Sequence, residues 1–272
     1  MKKTLLALAL IMAPTAVIAE TLDDLKAQGF ARIAIANEPP FTAVAADGTV
    51  SGAAPDVARE IFKRLGVNEV VASISEYGAM IPGLQAKRHD AITAGLFMKP
   101  ERCEAVAYSE PVLCDAEAFL LPKGNPKGFK SFADIAKDAT AKIGAPGGGT
   151  EEKLALEAGV PRDRVIVVPD GQSGLKMLQD GRIDVYSLPV LSISDLIKKA
   201  ADPNLEMFSP VSGAPVYCDG AAFRKEDTAL RDAFDVELAK MKESGEFAAI
   251  IEPYGFSAAA AQSTSRAKLC GE

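Results

Sequence analysis

The run Ala31-Arg32-Ile33-Ala34-Ile35-Ala36 begins the segment of the sequence that decides the fold, and its apolar residues predict a buried strand. Residues 56–65 predict a helix, because apolar side chains recur there at helical spacing and Gly66 follows as an end signal. Residues 69–74 predict the next strand. A strand, a helix and a second strand in this order are typical of an α/β fold.

The same alternation extends toward the C-terminus in two series. The first series continues with a predicted helix at 80–86, a strand at 90–94 and a helix that begins at Pro100. An extended connection at 116–121 leads to predicted strands at 142–145, 165–168 and 183–187 and helices at 151–158, with Thr150 as its N-cap, and 174–179. A second extended connection at 214–223 precedes an amphipathic helix at 228–244, which we expect to pack on the first series.

Two connections between two α/β series predict two lobes with a hinge and a cleft between them. We place lobe 1 at residues 20–115 and 219–272, and lobe 2 at residues 116–218. A chain of 272 residues is long enough for each lobe to bury a core of its own.

Residues 1–19 have the features of a secretory signal peptide. Lys2 and Lys3 precede an apolar run at 5–12, and Val17-Ile18-Ala19 resembles a cleavage site. A membrane anchor is disfavoured because the apolar run is short and Pro14 interrupts it. Position 20 is Glu, so a lipidated N-terminus is not expected, and the mature protein is predicted to be exported.

The charge balance argues against polyanionic partners. The chain has 30 Lys and Arg against 37 Asp and Glu, for a formal net charge of −7. Nucleic acids and anionic membranes are bound by clustered basic residues, which this sequence lacks. We therefore expect no nucleic-acid partner.

Export makes disulfides possible for the four cysteines, Cys103, Cys114, Cys218 and Cys270. Of the three possible connectivities we favour Cys103 with Cys114 and Cys218 with Cys270, because the others tie the middle of the chain to its end. A zinc site is the weaker interpretation, since paired C-x-x-C spacing is missing.

Motifs of common enzymes are incomplete. The chain has a single histidine, His89, which we expect to be a solvated surface residue. Ser173 lies in a segment with the wrong spacing for a nucleophile elbow. The glycines at 147–149, followed by Thr150, lack the lysine of a phosphate-binding loop. These observations disfavour a conventional hydrolase or NTPase.

Several segments in order resemble the solute-binding proteins of ABC importers, of the polar amino-acid type. The matching segments are Ser51-Gly52, Asp56-Val57-Ala58-Arg59-Glu60-Ile61, Arg64-Leu65-Gly66, residues 84–90, Lys99-Pro100-Glu101-Arg102 and Tyr108-Ser109-Glu110-Pro111. The resemblance covers essentially the whole mature chain and implies a two-lobed periplasmic binding protein fold of type II. It also implies that Arg102 binds a ligand carboxylate through two parallel N–H donors, and that Thr150 and its preceding glycines face the same carboxylate.

Two departures from the amino-acid-binding members concern the ligand's cation. Pro189 stands where those members place an Asp for the ligand ammonium, and Phe97 stands where they tend to place a hydroxyl. Phe41, Tyr77 and Phe97 instead follow predicted strands at the presumed cleft. Three converging rings predict a cage for a diffuse cation, which aromatic faces attract without hydrogen bonds.

A zwitterion with a delocalised cation fits this pattern, and the segments Asn37-Glu38-Pro39-Pro40-Phe41-Thr42, 51–56 and 95–102 are similar to those of the ectoine and hydroxyectoine binding proteins of compatible-solute importers. The resemblance implies that Phe41, Tyr77 and Phe97 surround the ligand ring and that Glu38 binds its amidinium. It further implies that Arg102 and Thr150 bind the carboxylate and that Gly95 acts through its backbone.

The resemblance implies a monomeric periplasmic protein without catalytic activity, metal or cofactor, which captures a small zwitterionic ligand and delivers it to an inner-membrane ABC permease. An amino-acid or betaine-type ligand is the first alternative. A periplasmic enzyme resembling cyclohexadienyl dehydratase, with Glu38 as its acid or base, is the second.

Overall fold

Two five-stranded sheets organise the chain, and we call the parts built around them lobe 1 and lobe 2. The computed structural model describes residues 22–272, so the predicted signal peptide lies outside the described residues. The strands are β1 (Phe30–Ile35), β2 (Ala43–Val44), β3 (Val50–Ser51), β4 (Glu69–Ile74), β5 (Ala91–Ile92), β6 (Ala107–Tyr108), β7 (Cys114–Asp115), β8 (Glu117–Pro122), β9 (Ile143–Pro146), β10 (Val165–Val168), β11 (Val185–Pro189), β12 (Leu205–Phe208), β13 (Tyr217–Cys218) and β14 (Ala222–Phe223).

The helices alternate with these strands over most of the chain. They are α1 (Leu22–Gln28), α2 (Ala53–Arg64), α3 (Tyr77–Gln85), α4 (Pro100–Ala105), α5 (Phe132–Lys137), α6 (Thr150–Glu157), α7 (Gly171–Gln179), α8 (Val190–Ala200), α9 (Thr228–Ser244), α10 (Glu246–Ile251), α11 (Ala258–Gln262) and α12 (Arg266–Cys270). Short 3-10 turns cover Arg162–Arg164 and Glu252–Tyr254. The predicted helix at 228–244 has the observed bounds of α9.

The sheet of lobe 1 has the order β4-β1-β5-β14-β6, and that of lobe 2 has the order β10-β9-β11-β8-β12. In lobe 1, β1 pairs in parallel with β4 and β5, whereas β14 runs antiparallel to its neighbours. In lobe 2, β9 pairs in parallel with β10 and β11, and β8 is antiparallel. The predicted α/β fold is therefore confirmed.

The central strands of each sheet, such as β1 and β11, bury residues on both faces, as expected for strands flanked by helices, whereas the edge strand β4 is largely exposed. Ile33 and Ile35 of β1 pack in one hydrophobic cluster with α2, α9 and α10, whereas Ala34 packs in a second cluster with α3. This alternation follows from the two-residue period of a strand. The expected packing of α9 on lobe 1 is confirmed.

The chain passes twice between the lobes. It leaves lobe 1 through β7 and returns through β13, and these two short strands pair antiparallel, with Cys114 opposite Cys218. Asp219 reinforces the crossing, because its carboxylate accepts the backbone N–H of Leu113 at 2.7 Å. The two predicted crossings therefore lie side by side as one hinge.

The favoured disulfide pairing is wrong. The structure joins Cys103 to Cys270 and Cys114 to Cys218. The second bond lies across the paired hinge strands, with 4.0 Å between its Cα atoms. The first ties α4 to the C-terminal helix α12, which returns to lobe 1. The prediction failed because it assumed that the middle of the chain does not contact its end. The second crossing returns the end of the chain to lobe 1 and creates such contacts.

The expectation for His89 is also wrong. The residue is only 8% exposed, and its Nδ1 lies 3.2 Å from the Ser73 hydroxyl of β4. Burial lowers the pKa of the imidazole. The turn that carries His89 packs against α3. This close contact is possible because Gly83 of α3 has no side chain that would collide with the His89 ring.

Candidate functional site

Glu38 and Phe41 follow directly from the end of β1. Asn37 turns the chain there with a φ of 53°, a conformation that Asn tolerates better than most residues. Its side-chain oxygen accepts the N–H of Val44 at 2.9 Å, and the Thr42 hydroxyl accepts the N–H of Glu38 at 3.1 Å. These bonds hold the Glu38 side chain toward lobe 2.

A cavity of about 250 Å³ between the lobes brings together all the predicted site residues. Lobe 1 supplies its aromatic and basic wall, and lobe 2 supplies the start of α6 and the end of β11. The lining residues are Glu38, Phe41, Tyr77, Gly95, Phe97, Arg102, Gly149, Thr150, Glu151 and Pro189. A second opening of about 480 Å³ shares Glu38 and Tyr77 with it and extends past Asp170 and Tyr186.

Phe41 and Phe97, two of the aromatic residues of this cavity, pack against each other and against further rings. Phe41 and Phe97 meet edge to face, with 5.9 Å between ring centroids and 74° between planes. The other side of Phe41 packs on Phe256 at 4.7 Å, and Phe97 stacks on Tyr217 at 5.7 Å. Phe41 and Phe97 are therefore core residues and cavity walls at once, with ring positions fixed by packing.

Position 95 requires a glycine because the Phe41 ring packs closely against its backbone. Its φ of +76° is unfavourable for residues with a side chain, and a Cβ atom there would lie 2.8 Å from Cδ1 of Phe41. The bare backbone lets the Phe41 ring close the cavity on this side.

Arg102, in the first turns of α4, joins the two lobes. Its Nη1 donates to the Phe97 carbonyl at 2.8 Å, and Nη2 donates to the Gly148 carbonyl of lobe 2 at 2.9 Å. A guanidinium has five N–H donors, so further donors remain for an anion in the cavity. This arrangement suits a carboxylate held between the lobes.

Thr150 is the first residue of α6 and not its N-cap, so that prediction is wrong; the cap position belongs to Gly149. The Thr150 hydroxyl is buried and has no hydrogen-bond partner within residues 22–272. Together with the backbone N–H groups at the start of α6, it forms an environment suited to an anion.

The carboxyl of Glu38 lies among other acids and hydroxyls. Oε1 accepts the Ser192 hydroxyl at 2.8 Å, and Oε2 lies 3.2 Å from the Tyr77 hydroxyl. Burial, with a contribution from Glu151, raises the pKa of Glu38 to about 8. Burial likewise raises the pKa of Tyr77 well above its ordinary value. A cationic ligand would offset the cost of keeping Glu38 ionised.

The sequence reasoning missed further cavity residues. Glu151 is buried beside Glu117, and burial raises the pKa of both carboxyls. Its signal was present, since acids open α6, but the helix dipole favours acids in the first turn of any helix, so they do not by themselves indicate a cavity. Ser192 carries no local signal, because only the packing of the lobes brings it to Glu38.

Residues 31–257 match the family of bacterial extracellular solute-binding proteins, family 3. The chain belongs to this family. The match spans both sheets and both hinge crossings. The fold is accordingly the two-lobed, type II fold of periplasmic binding proteins.

Members and relatives of the family resemble the chain over most of its length. A crystal structure of EhuB in complex with hydroxyectoine is 85% identical, covers 92% of this chain and 97% of its own, and superposes with a TM-score of 0.91. A probable amino-acid ABC transporter periplasmic-binding protein from Sinorhizobium fredii is 34% identical, over 97% of this chain and 90% of its own. An ancestral amino acid-binding protein, described as a precursor of cyclohexadienyl dehydratase, is 25% identical, covers 86% of this chain and 98% of its own, and has a TM-score of 0.75.

The family identifies the chain as a solute-binding protein. Within residues 22–272 no helix combines the length and apolar character needed to cross a membrane.

Proposed function

We propose that the protein captures ectoine or 5-hydroxyectoine and delivers it to an ABC transporter for uptake. The observation that carries the proposal is the single cavity in which rigid aromatic rings, the Glu38 carboxyl and the Arg102 guanidinium meet. The 85% identity to EhuB, whose complex contains hydroxyectoine, supports the same ligand here.

Each wall of the cavity has a role in this proposal. Phe41, Tyr77 and Phe97 face the delocalised cation of the ring, which aromatic faces attract by roughly 0.5 to 2 kcal/mol for each contact. Glu38 accepts a hydrogen bond from the amidinium. Arg102 and the Thr150 hydroxyl bind the ligand carboxylate, and Gly95 contributes its backbone.

Capture proceeds by closure of two lobes around this ligand. Lobe 1 covers residues 20–115 and 219–272, and lobe 2 covers residues 116–218. Residues 1–19 direct export to the periplasm and are then cleaved. The mature protein acts as a monomer without cofactor, with an inner-membrane ABC permease as its partner.

Isothermal titration calorimetry of the mature protein tests the ligand. We expect low-micromolar or tighter binding of ectoine and hydroxyectoine, with little binding of glycine betaine, proline or glutamine. Pro189 lines the cavity where an ammonium-binding Asp would stand in amino-acid-binding members, so a primary ammonium would lose the acceptor that this Asp provides. Strong glutamine or proline binding with no response to ectoine would overturn the proposal.

A non-enzymatic role has its own test. The likeness to an ancestral precursor of cyclohexadienyl dehydratase makes prephenate and arogenate the relevant substrates. We expect no turnover of either, and a measurable rate above the uncatalysed one would replace the binding role with catalysis.

A further inference from the structure

Glu38 receives one hydroxyl from each lobe. The Tyr77 hydroxyl of lobe 1 lies 3.2 Å from Oε2, whereas the Ser192 hydroxyl of α8 in lobe 2 lies 2.8 Å from Oε1. Ser192 is 1% exposed, so solvent does not compete for its hydroxyl. Because the bond crosses the cleft, it depends on closure of the lobes.

Tyr77 does not by itself keep Glu38 ionised. Its single hydroxyl proton has two acceptors within reach, the Ala94 carbonyl at 3.0 Å and Glu38 Oε2 at 3.2 Å. When the proton points to the carbonyl, the Tyr77 oxygen can only accept a proton from a neutral Glu38. Ser192 has its hydroxyl proton directed at the other carboxyl oxygen.

The other titratable groups around Glu38 oppose its ionisation. Glu151 of α6 and Asp115 of the hinge strand β7 both raise the pKa of Glu38, and the ring of Tyr186 on β11 is a further buried neighbour. Arg102 lines the same cavity, but it donates to the carbonyls of Phe97 and Gly148. A carboxylate in these surroundings needs hydrogen-bond donors and a ligand cation to stay charged.

We propose that Ser192 is a positioning residue that holds the Glu38 carboxylate ionised against the ligand's positive charge once lobe 2 has closed. The ligand cation and the Ser192 hydroxyl then act on opposite sides of one carboxyl group. Lobe 2 thereby recognises the cation through Glu38, without touching it. This role rests on the proposed function, since it assumes a cationic ring in the cavity.

The test compares hydroxyectoine binding by the wild type, Ser192→Ala and Ser194→Ala. Ser194 lies on the same helix, and its hydroxyl donates to the Val190 carbonyl at 2.7 Å, which makes it a matched control. Calorimetry at about pH 6 and about pH 8, in buffers of different ionisation heat, gives both the affinity and the protons taken up.

We expect Ser192→Ala to weaken binding about tenfold at about pH 8, as for loss of a hydrogen bond to a charged group. The loss should shrink toward about pH 6, and the variant should take up protons on binding, because its Glu38 carboxyl then protonates and no longer depends on the lost hydrogen bond. The wild type and Ser194→Ala should bind alike, with little proton uptake.

Several results would overturn this role while leaving the proposed function intact. They are wild-type affinity for Ser192→Ala, an equal loss in Ser194→Ala, or a loss that is the same at both pH values without proton uptake. If the wild type itself does not bind hydroxyectoine, the proposed function fails, and the role of Ser192 fails with it.

Discussion

At the scale of single residues, Phe97 decides whether the cavity binds a cation through its rings. Replacing Phe97 with Ala should weaken hydroxyectoine binding at least tenfold, because the change removes one ring face and frees its neighbours Phe41 and Tyr217. Calorimetry measures the affinity, and thermal unfolding without ligand shows that the variant is folded. Unchanged affinity would remove Phe97 from the site.

Phe97→Leu separates ring electrostatics from simple apolar contact. Leu keeps most of the buried volume but has no π face, so we expect a loss of severalfold for a cationic ring. Wild-type affinity in this variant would mean that Phe97 acts only as an apolar wall.

At the scale of elements, the glycine loop before α6 determines how closely the lobes approach. The N–H of Gly78 donates to the Gly147 carbonyl at 3.2 Å, and a Cβ on Gly148 would lie 2.4 Å from the Gly78 Cα. Gly148→Ala should therefore keep the lobes apart and weaken hydroxyectoine binding at least tenfold, because Arg102 and Thr150 no longer meet on one anion. Calorimetry again measures the effect.

Gly124→Ala is the matched control for this loop. Gly124 has a φ of +80°, close to the +72° of Gly148, but a Cβ there would meet nothing within 4 Å in the described part of the chain. Both variants carry the same backbone strain, of order 1 to 2 kcal/mol, so only the close approach differs. Equal binding by the two variants would contradict a steric role for Gly148.

At the scale of the whole molecule, buried acids make stability depend on pH. Burial raises the pKa of Asp219 from 3.8 to about 7 and that of Asp115 to about 6, both at the hinge. An acid with a raised folded-state pKa favours folding while it is protonated, and this contribution is lost as the pH rises through the folded value. The free energy of unfolding should therefore fall between about pH 5 and about pH 8, by roughly 1.4 kcal/mol for each unit of pKa difference that titrates in this range.

Urea unfolding of the ligand-free protein across this range measures the slope. Exposed acids with a lowered pKa, such as Asp138 at about 2, titrate below the range. His89, whose pKa is lowered by burial, contributes in the opposite sense below about pH 6.5, so the fall is measured above that pH. Asp219→Asn keeps the side-chain shape without the ionisation, so its stability should vary less with pH. Stability that is constant or rises with pH would contradict the assignment.

The sequence by itself determined many of the strands and helices of the two lobes and the aromatic residues that line the cavity. Strand and helix periods are local, so the runs at 31–36 and 228–244 predicted β1 and α9 without tertiary information. Phe41, Tyr77 and Phe97 could be placed near one another because each follows a predicted strand at the presumed cleft, whereas Glu38 and Gly95 were implied by the resemblance to known binding proteins.

Only the tertiary structure decided which distant segments meet. Packing brings together the residues of three features that the sequence did not predict. They are the disulfide between Cys103 and Cys270, the buried site of His89, and the hydrogen bond from Ser192 to Glu38. The residues joined in the disulfide and in the cleft are separated by more than a hundred positions, so no local pattern marks them. Their contacts follow from the second hinge crossing and from closure of the lobes, which depend on long-range packing and not on local periodicity.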